Sequence, residues 1–119
     1  MTNEEVLQAI EAAAAEPGAI LDLSNQGLSD LPQEISTLTG ISVLDLSNNQ
    51  FTEIPATIAG LTGLNYLDLS NNQITTLPKE IAALPDLEEV MLAGNPLASP
   101  PPEVAEQGLE AIRNFLSSS

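Results

Sequence analysis

Apolar residues recur along most of this chain in a pattern that is neither simply alternating nor simply helical, and the pattern returns every 23 residues. Residues 67–72 read Leu-Asp-Leu-Ser-Asn-Asn, identical to 44–49 and close to 21–26, while 90–95 keeps the frame as Val-Met-Leu-Ala-Gly-Asn. In one unit the apolar set is Ile41, Leu44, Leu46, Phe51, Ile54, Ile58 and Leu61; in the next it is Leu64, Leu67, Leu69, Ile74, Leu77, Ile81 and Leu84. The volumes match position by position, so successive units can stack in layers around a shared core. Leu44 and Leu46 flank Asp45, which predicts a short strand with one buried face. Such strands would pair in parallel about 4.8 Å apart. Prolines 32, 55 and 78 recur on the return side of each unit. A missing amide donor and a fixed φ suit a tight turn there and argue against a second sheet. The run after each proline predicts one helical or 3₁₀ turn.

The ends depart from this frame. Over residues 2–16, Val6, Ala9, Ile10 and Ala13 fall at helical spacing, Thr2 and Glu5 have the form of a capping box, and Pro17-Gly18 ends the segment. This helix is expected to lie over the open end of the core and cover the first sheet edge; the weaker alternative is an amphipathic helix for a partner. After the repeats of 18–98, the stretch 99–119 opens with Ser99 and three prolines, then turns helical with Val104, Leu109, Ile112, Phe115 and Leu116 as its apolar members. Gly108 should split it into a short turn and a final helix, a second cap, and the last three serines are expected to be disordered or a cloning remnant. The whole chain, 1–119, reads as a single domain.

Residues 26, 49, 72 and 95 need a separate account, because they sit where the chain leaves each strand on the core side. Asn49, Asn72 and Asn95 carry both an acceptor and a donor, so they can satisfy backbone groups of their own turn and of the neighbouring unit. Gln26 departs from asparagine at the first unit. A structural ladder is the expectation, and a polar binding row the disfavoured alternative.

Composition narrows the function. The chain has 17 acidic residues against Lys79 and Arg113, a formal net charge of −15, and neither cysteine nor histidine. Nucleic acid and anionic membranes would be repelled, whereas a basic protein surface would be steered in. Disulfides, thiol nucleophiles and thiolate metal sites are excluded. No apolar run approaches the length of a membrane helix, and no basic segment precedes an apolar one, so a cytoplasmic protein is expected.

Residues 44–49 followed by Ile54-Pro55, Ile58 and Leu61 resemble the 23-residue bacterial class of leucine-rich repeat. The helix leading into Leu21-Asp22-Leu23-Ser24, and the tail from Gly94-Asn95-Pro96-Leu97 to Gln107-Gly108, are similar to the repeat regions of cyanobacterial-type and Roco-group proteins. The resemblance implies an α/β leucine-rich repeat solenoid with a short parallel sheet on the concave face and an irregular or 3₁₀ convex side, capped by a helix at each end. It also implies a protein-interaction or regulatory role. In Roco proteins such an array precedes a GTPase domain, but no Gly-x-x-x-x-Gly-Lys-Ser/Thr segment is present in this chain, so nucleotide hydrolysis does not carry over.

The outward strand positions form columns across the units, and these are the candidate contact surface. Ile20, Val43, Tyr66 and Glu89 form one, Asp22, Asp45, Asp68 and Met91 the next, and Ser24, Ser47, Ser70 and Ala93 a third. Stacked aspartates repel one another, which a basic ligand or a hard cation would relieve; the plainer reading is a solvated face with serine donors nearby. Tyr66 beside Val43 and Ile20 is the more plausible anchor for a protein, including a second copy of the chain. No catalytic, cofactor or metal residue is expected: the serines lack a base other than aspartate, and no acid pair occupies an evident cleft. The expectation is a non-enzymatic module that binds a protein, with a regulatory fragment of a larger Roco-like GTPase as the alternative.

Overall fold

In the computed structural model, which describes residues 2–118, the repeats stack as the apolar pattern requires. Four three-residue strands, β1 (Ile20–Asp22), β2 (Val43–Asp45), β3 (Tyr66–Asp68) and β4 (Glu89–Met91), form one parallel sheet in sequence order. The register places Leu21, Leu44, Leu67 and Val90 side by side. Leu44, Leu46, Phe51, Ile58, Leu61, Leu64, Leu67, Leu69, Ile74, Ile81 and Leu84 are completely buried, so both faces of the two internal layers are covered by a neighbour.

The return side is made of three 3₁₀ helices, Gln33–Thr37, Ala56–Gly60 and Lys79–Ala83, each with a proline as its N-cap at ψ near 150°. Proline's fixed φ starts the turn, and Ile35, Ile58 or Ile81 points back to the core. No second sheet forms among the described residues. Just ahead of the prolines, however, two isolated parallel bridges, Glu53 with Thr76 and Thr76 with Ser99, tie neighbouring units together.

Helix α1 (Asn3–Ala14) stops two residues short of the expected end. The capping box is present: the Glu5 amide donates to Thr2 Oγ1 at 3.2 Å and the Thr2 amide to Glu5 Oε1 at 3.0 Å. Val6, Ile10 and Ala13 are buried against β1 and the first 3₁₀ helix, so α1 seals this end. At the other end α2 (Pro102–Ala105) and α3 (Leu109–Ser117) are separated by Gly108, whose φ of 101° breaks the helix. Ile112 and Leu116 of α3 are buried, and α3 packs on the Lys79–Ala83 helix. Arg113 adds a clasp, donating from Nη2 to the carbonyls of Leu84 at 2.8 Å and Leu87 at 3.0 Å. The expectation of a disordered serine tail is corrected at its start: Ser117 ends α3 and Ser118 caps it by donating to the Asn114 carbonyl. Ser119 lies outside the described residues.

Candidate functional site

The concave wall is built by the residues between the buried strand leucines. The register aligns Ile20, Val43, Tyr66 and Glu89 in one column and Asp22, Asp45, Asp68 and Met91 in the next. Ile20 is 68% exposed and Tyr66 40%, the large hydrophobic side chains left most open among the described residues. Val43 between them is half-buried, and Glu89 continues the column as an exposed carboxylate. An apolar strip thus runs over three strands and ends in negative charge.

The aspartate column differs from a row of bare carboxylates. Asp22 Oδ1 accepts from the Ser24 amide at 3.0 Å and from the Ser24 hydroxyl at 2.6 Å. Asp45 with Ser47 and Asp68 with Ser70 repeat this arrangement at the same distances. Each aspartate closes a turn onto its own backbone two residues ahead, which ends the strand after three residues. The Ser24 hydroxyl, and after it the Ser24 amide, hold the Asp22 carboxyl below its ordinary value. The serine column is therefore corrected as a contact surface. Ser47 is only 6% exposed, and all three hydroxyls are directed to carboxylates rather than to solvent. Among the described residues no three acidic side chains are arranged to hold a metal ion.

The asparagine row is buried and satisfied. Asn49 Nδ2 donates to the carbonyls of Leu23 at 2.9 Å, Leu46 at 2.9 Å and Ser47 at 3.2 Å, and its Oδ1 accepts the amides of Gln26 and Leu28, both at 3.0 Å. Asn72 repeats this toward Leu46, Leu69, Ser70 and the Phe51 amide, and half-buried Asn95 toward Leu69, Leu92 and the Ile74 amide. Each asparagine joins its own unit to the one before. Gln26 has no preceding unit and folds its amide onto the Ser24 carbonyl at 3.0 Å.

One feature of this turn escaped the sequence reading. Asn25, Asn48 and Asn71 all have φ of 58°, and Gly94 takes the same place at 78°. A glycine replacing the first asparagine in the fourth copy was the available signal, because asparagine and glycine are the residues that enter the left-handed region most easily.

The leucine-rich repeat region family matches residues 20–107, which is more than half of the chain. The chain belongs to the leucine-rich repeat family. Among solved structures, a leucine-rich repeat protein of Leptospira interrogans is 40% identical over 75% of this chain, with a TM-score of 0.61. The match spans only 21% of that longer protein. None of the curated proteins compared matches the chain. Leucine-rich repeat domains generally mediate protein–protein interaction and are typically non-enzymatic.

Proposed function

We propose that this chain is a single leucine-rich repeat domain of the 23-residue bacterial class, and a non-enzymatic module that presents its acidic, partly apolar concave wall to a protein partner. The observation that carries this reading is the exposed strip of Ile20, Val43 and Tyr66 beside the column of Asp22, Asp45 and Asp68. Large apolar side chains in register provide an anchor, and the neighbouring carboxylates favour a basic partner and speed its approach. Glu89 and Met91 extend the wall at its far end. With a net charge of −15 the surface disfavours nucleic acid and anionic membranes, and among the described residues no helix is long and apolar enough to cross a membrane. A cytoplasmic setting suits a chain without cysteine.

Capture of partners from the source cell on the immobilised chain tests this, with Tyr66→Ala and Asp45→Lys as companions. The expected result is a bound protein lost by at least about tenfold in Tyr66→Ala and weakened by charge reversal. Unchanged capture by both variants overturns the proposal. Light scattering of the parent and Tyr66→Ala reads the second-copy form of it, which requires a dimer in the parent and a monomer in the variant. The alternative is an array regulating the GTPase of a larger Roco-like protein, a reading that rests on the resemblance of the two ends to Roco-group repeat regions.

A further inference from the structure

The two ends of the sheet are finished differently. At β1 the strand leucines Leu21 and Leu23 are almost fully buried beneath α1, and in the two internal units the equivalent leucines have no exposed surface. In the fourth unit the same positions, Val90 and Leu92, are only half-buried. Helix α3 packs on the return side, and α2 stands away from β4 across a cleft of about 360 Å³ whose lining includes Val90, Leu92, Gly94, Leu97, Ala105 and the exposed Glu106.

Backbone groups along this cleft repeat the difference. The amides of Leu46 and Asn48 donate to the Asp68 and Ser70 carbonyls of the next unit, and those of Leu69 and Asn71 to Met91 and Ala93. The equivalent amides of Leu92 and Gly94 donate to no group among the described residues. Apolar side chains and unused amides therefore face the same opening, at the spacing at which another strand would supply both.

Charge selects the occupant. Glu88 is exposed just before the edge strand and Glu89 at its start, Glu103 and Glu106 are exposed on or just after α2, and neither Lys79 nor Arg113 lines the cleft. A second copy of a chain carrying −15 would bring like charges together at this edge, the usual way an edge strand is guarded against its own kind. We propose that the β4 edge and its cleft bind an extended peptide segment of alternating apolar and basic residues, which adds to the sheet as a fifth strand. Its apolar side chains cover Val90 and Leu92, its lysines or arginines meet Glu89 and the other rim carboxylates, and its carbonyls accept the Leu92 and Gly94 amides. The cleft and the edge amides belong to the end of the array, and of the residues named only Glu89 is shared with the concave wall.

The test uses the full chain and a terminally blocked decapeptide alternating leucine and lysine, in three forms: unmodified, N-methylated at every leucine, and N-methylated at every lysine. Strand addition engages one set of alternate amides and leaves the other in solvent. The expected result is saturable binding of the unmodified peptide, retained by one methylated form and lost by the other. Hydrogen exchange at the Leu92 and Gly94 amides should slow, and Glu89→Lys should weaken binding by about tenfold at low salt. The proposal is overturned by equal binding of the two methylated peptides, by protection confined to the concave wall, by absence of saturable binding, or by a parent dimer that already protects the Leu92 and Gly94 amides.

Discussion

Replacing Asn72 by alanine isolates the contribution of the turn ladder to stability. The Asn72 side chain is buried at 6% exposure and makes four hydrogen bonds: Oδ1 accepts the Phe51 amide at 3.2 Å, and Nδ2 reaches the carbonyls of Leu46, Leu69 and Ser70 at 3.0, 3.0 and 3.3 Å. These losses are unequal. The Leu46 and Leu69 carbonyls keep partners in Asn49 and Asn95, at 2.9 and 2.8 Å. The Phe51 amide, in a residue with no exposed surface, keeps none. An orphaned buried donor costs about 1–3 kcal/mol, and the thinned carbonyl bonds add about 1 kcal/mol together, so Asn72→Ala should lose about 2–4 kcal/mol in a urea melt. The neighbouring Asn71 supplies the control. It is exposed, and its amide bond to the Ala93 carbonyl survives any substitution but proline. What alanine would lose there is ease in the left-handed region, about 1 kcal/mol, whereas Asn71→Gly should stay within about 0.5 kcal/mol of the parent. Equal losses for Asn72→Ala and Asn71→Gly would refute the ladder.

Three further substitutions test the caps, the core and the aspartate turns. Arg113→Ala removes both bonds to the Leu84 and Leu87 carbonyls and should lower stability by about 1.5–3 kcal/mol in thermal melts, with Arg113→Lys restoring only part; a loss under about 0.5 kcal/mol would show that the clasp is idle. In Gly60→Ala the new Cβ would lie 2.5 Å from the Ser36 carbonyl oxygen, so the two 3₁₀ helices must separate at a cost of about 1–3 kcal/mol, while Gly40→Ala, with only Pro17 Cα at 3.9 Å, should be neutral or slightly stabilising. Asp22 has a lowered pKa when folded, so its contribution is present above the ordinary aspartate range and is lost as pH falls through the folded value. The stability gap between the parent and Asp22→Asn should therefore be open at pH 7 and close below about pH 4; a gap that widens on acidification contradicts the assigned hydrogen bonds.

The architecture was legible because it depends on residues that do one thing. Leu44, Leu46 and Ile58 are apolar at positions with no freedom, and their repetition identifies strand, layer and return turn before any coordinate is known. The concave columns follow from the strand's two-residue alternation, and the observed register places the residues where that alternation predicts. Residues with two possible tasks were not legible. Ser47 sits at an outward position by alternation, yet its hydroxyl is held by Asp45 and it is buried. Asn49 was assignable to the ladder from its place where the chain leaves the strand, but the left-handed turn at the adjacent Asn48 shows only in the backbone geometry. The half-covered fourth unit was equally hidden, since Val90 and Leu92 preserve the apolar pattern, and exposure depends on where α2 and α3 come to rest.

That last difference bears on how the molecule can divide stability from recognition. Cohesion comes from the internal layers and the asparagine ladder, whose groups are paired and whose side chains are out of reach of a partner. In the proposed reading, recognition falls to Ile20 and Tyr66, exposed on the wall, and to the half-covered β4 edge at the end. Substitution on the wall should then alter binding with little change in melting, because these side chains touch water rather than a layer above. Substitution at the edge should do the same for Glu89 but not for Leu92, which still rests on the buried Leu69 layer. Because Glu89 also continues the wall's own column beside Tyr66, the edge is told from the wall by protection of the Leu92 and Gly94 amides, and Tyr66→Ala remains the probe of the wall; applied together, the two readouts separate the sites without weakening the array that presents them.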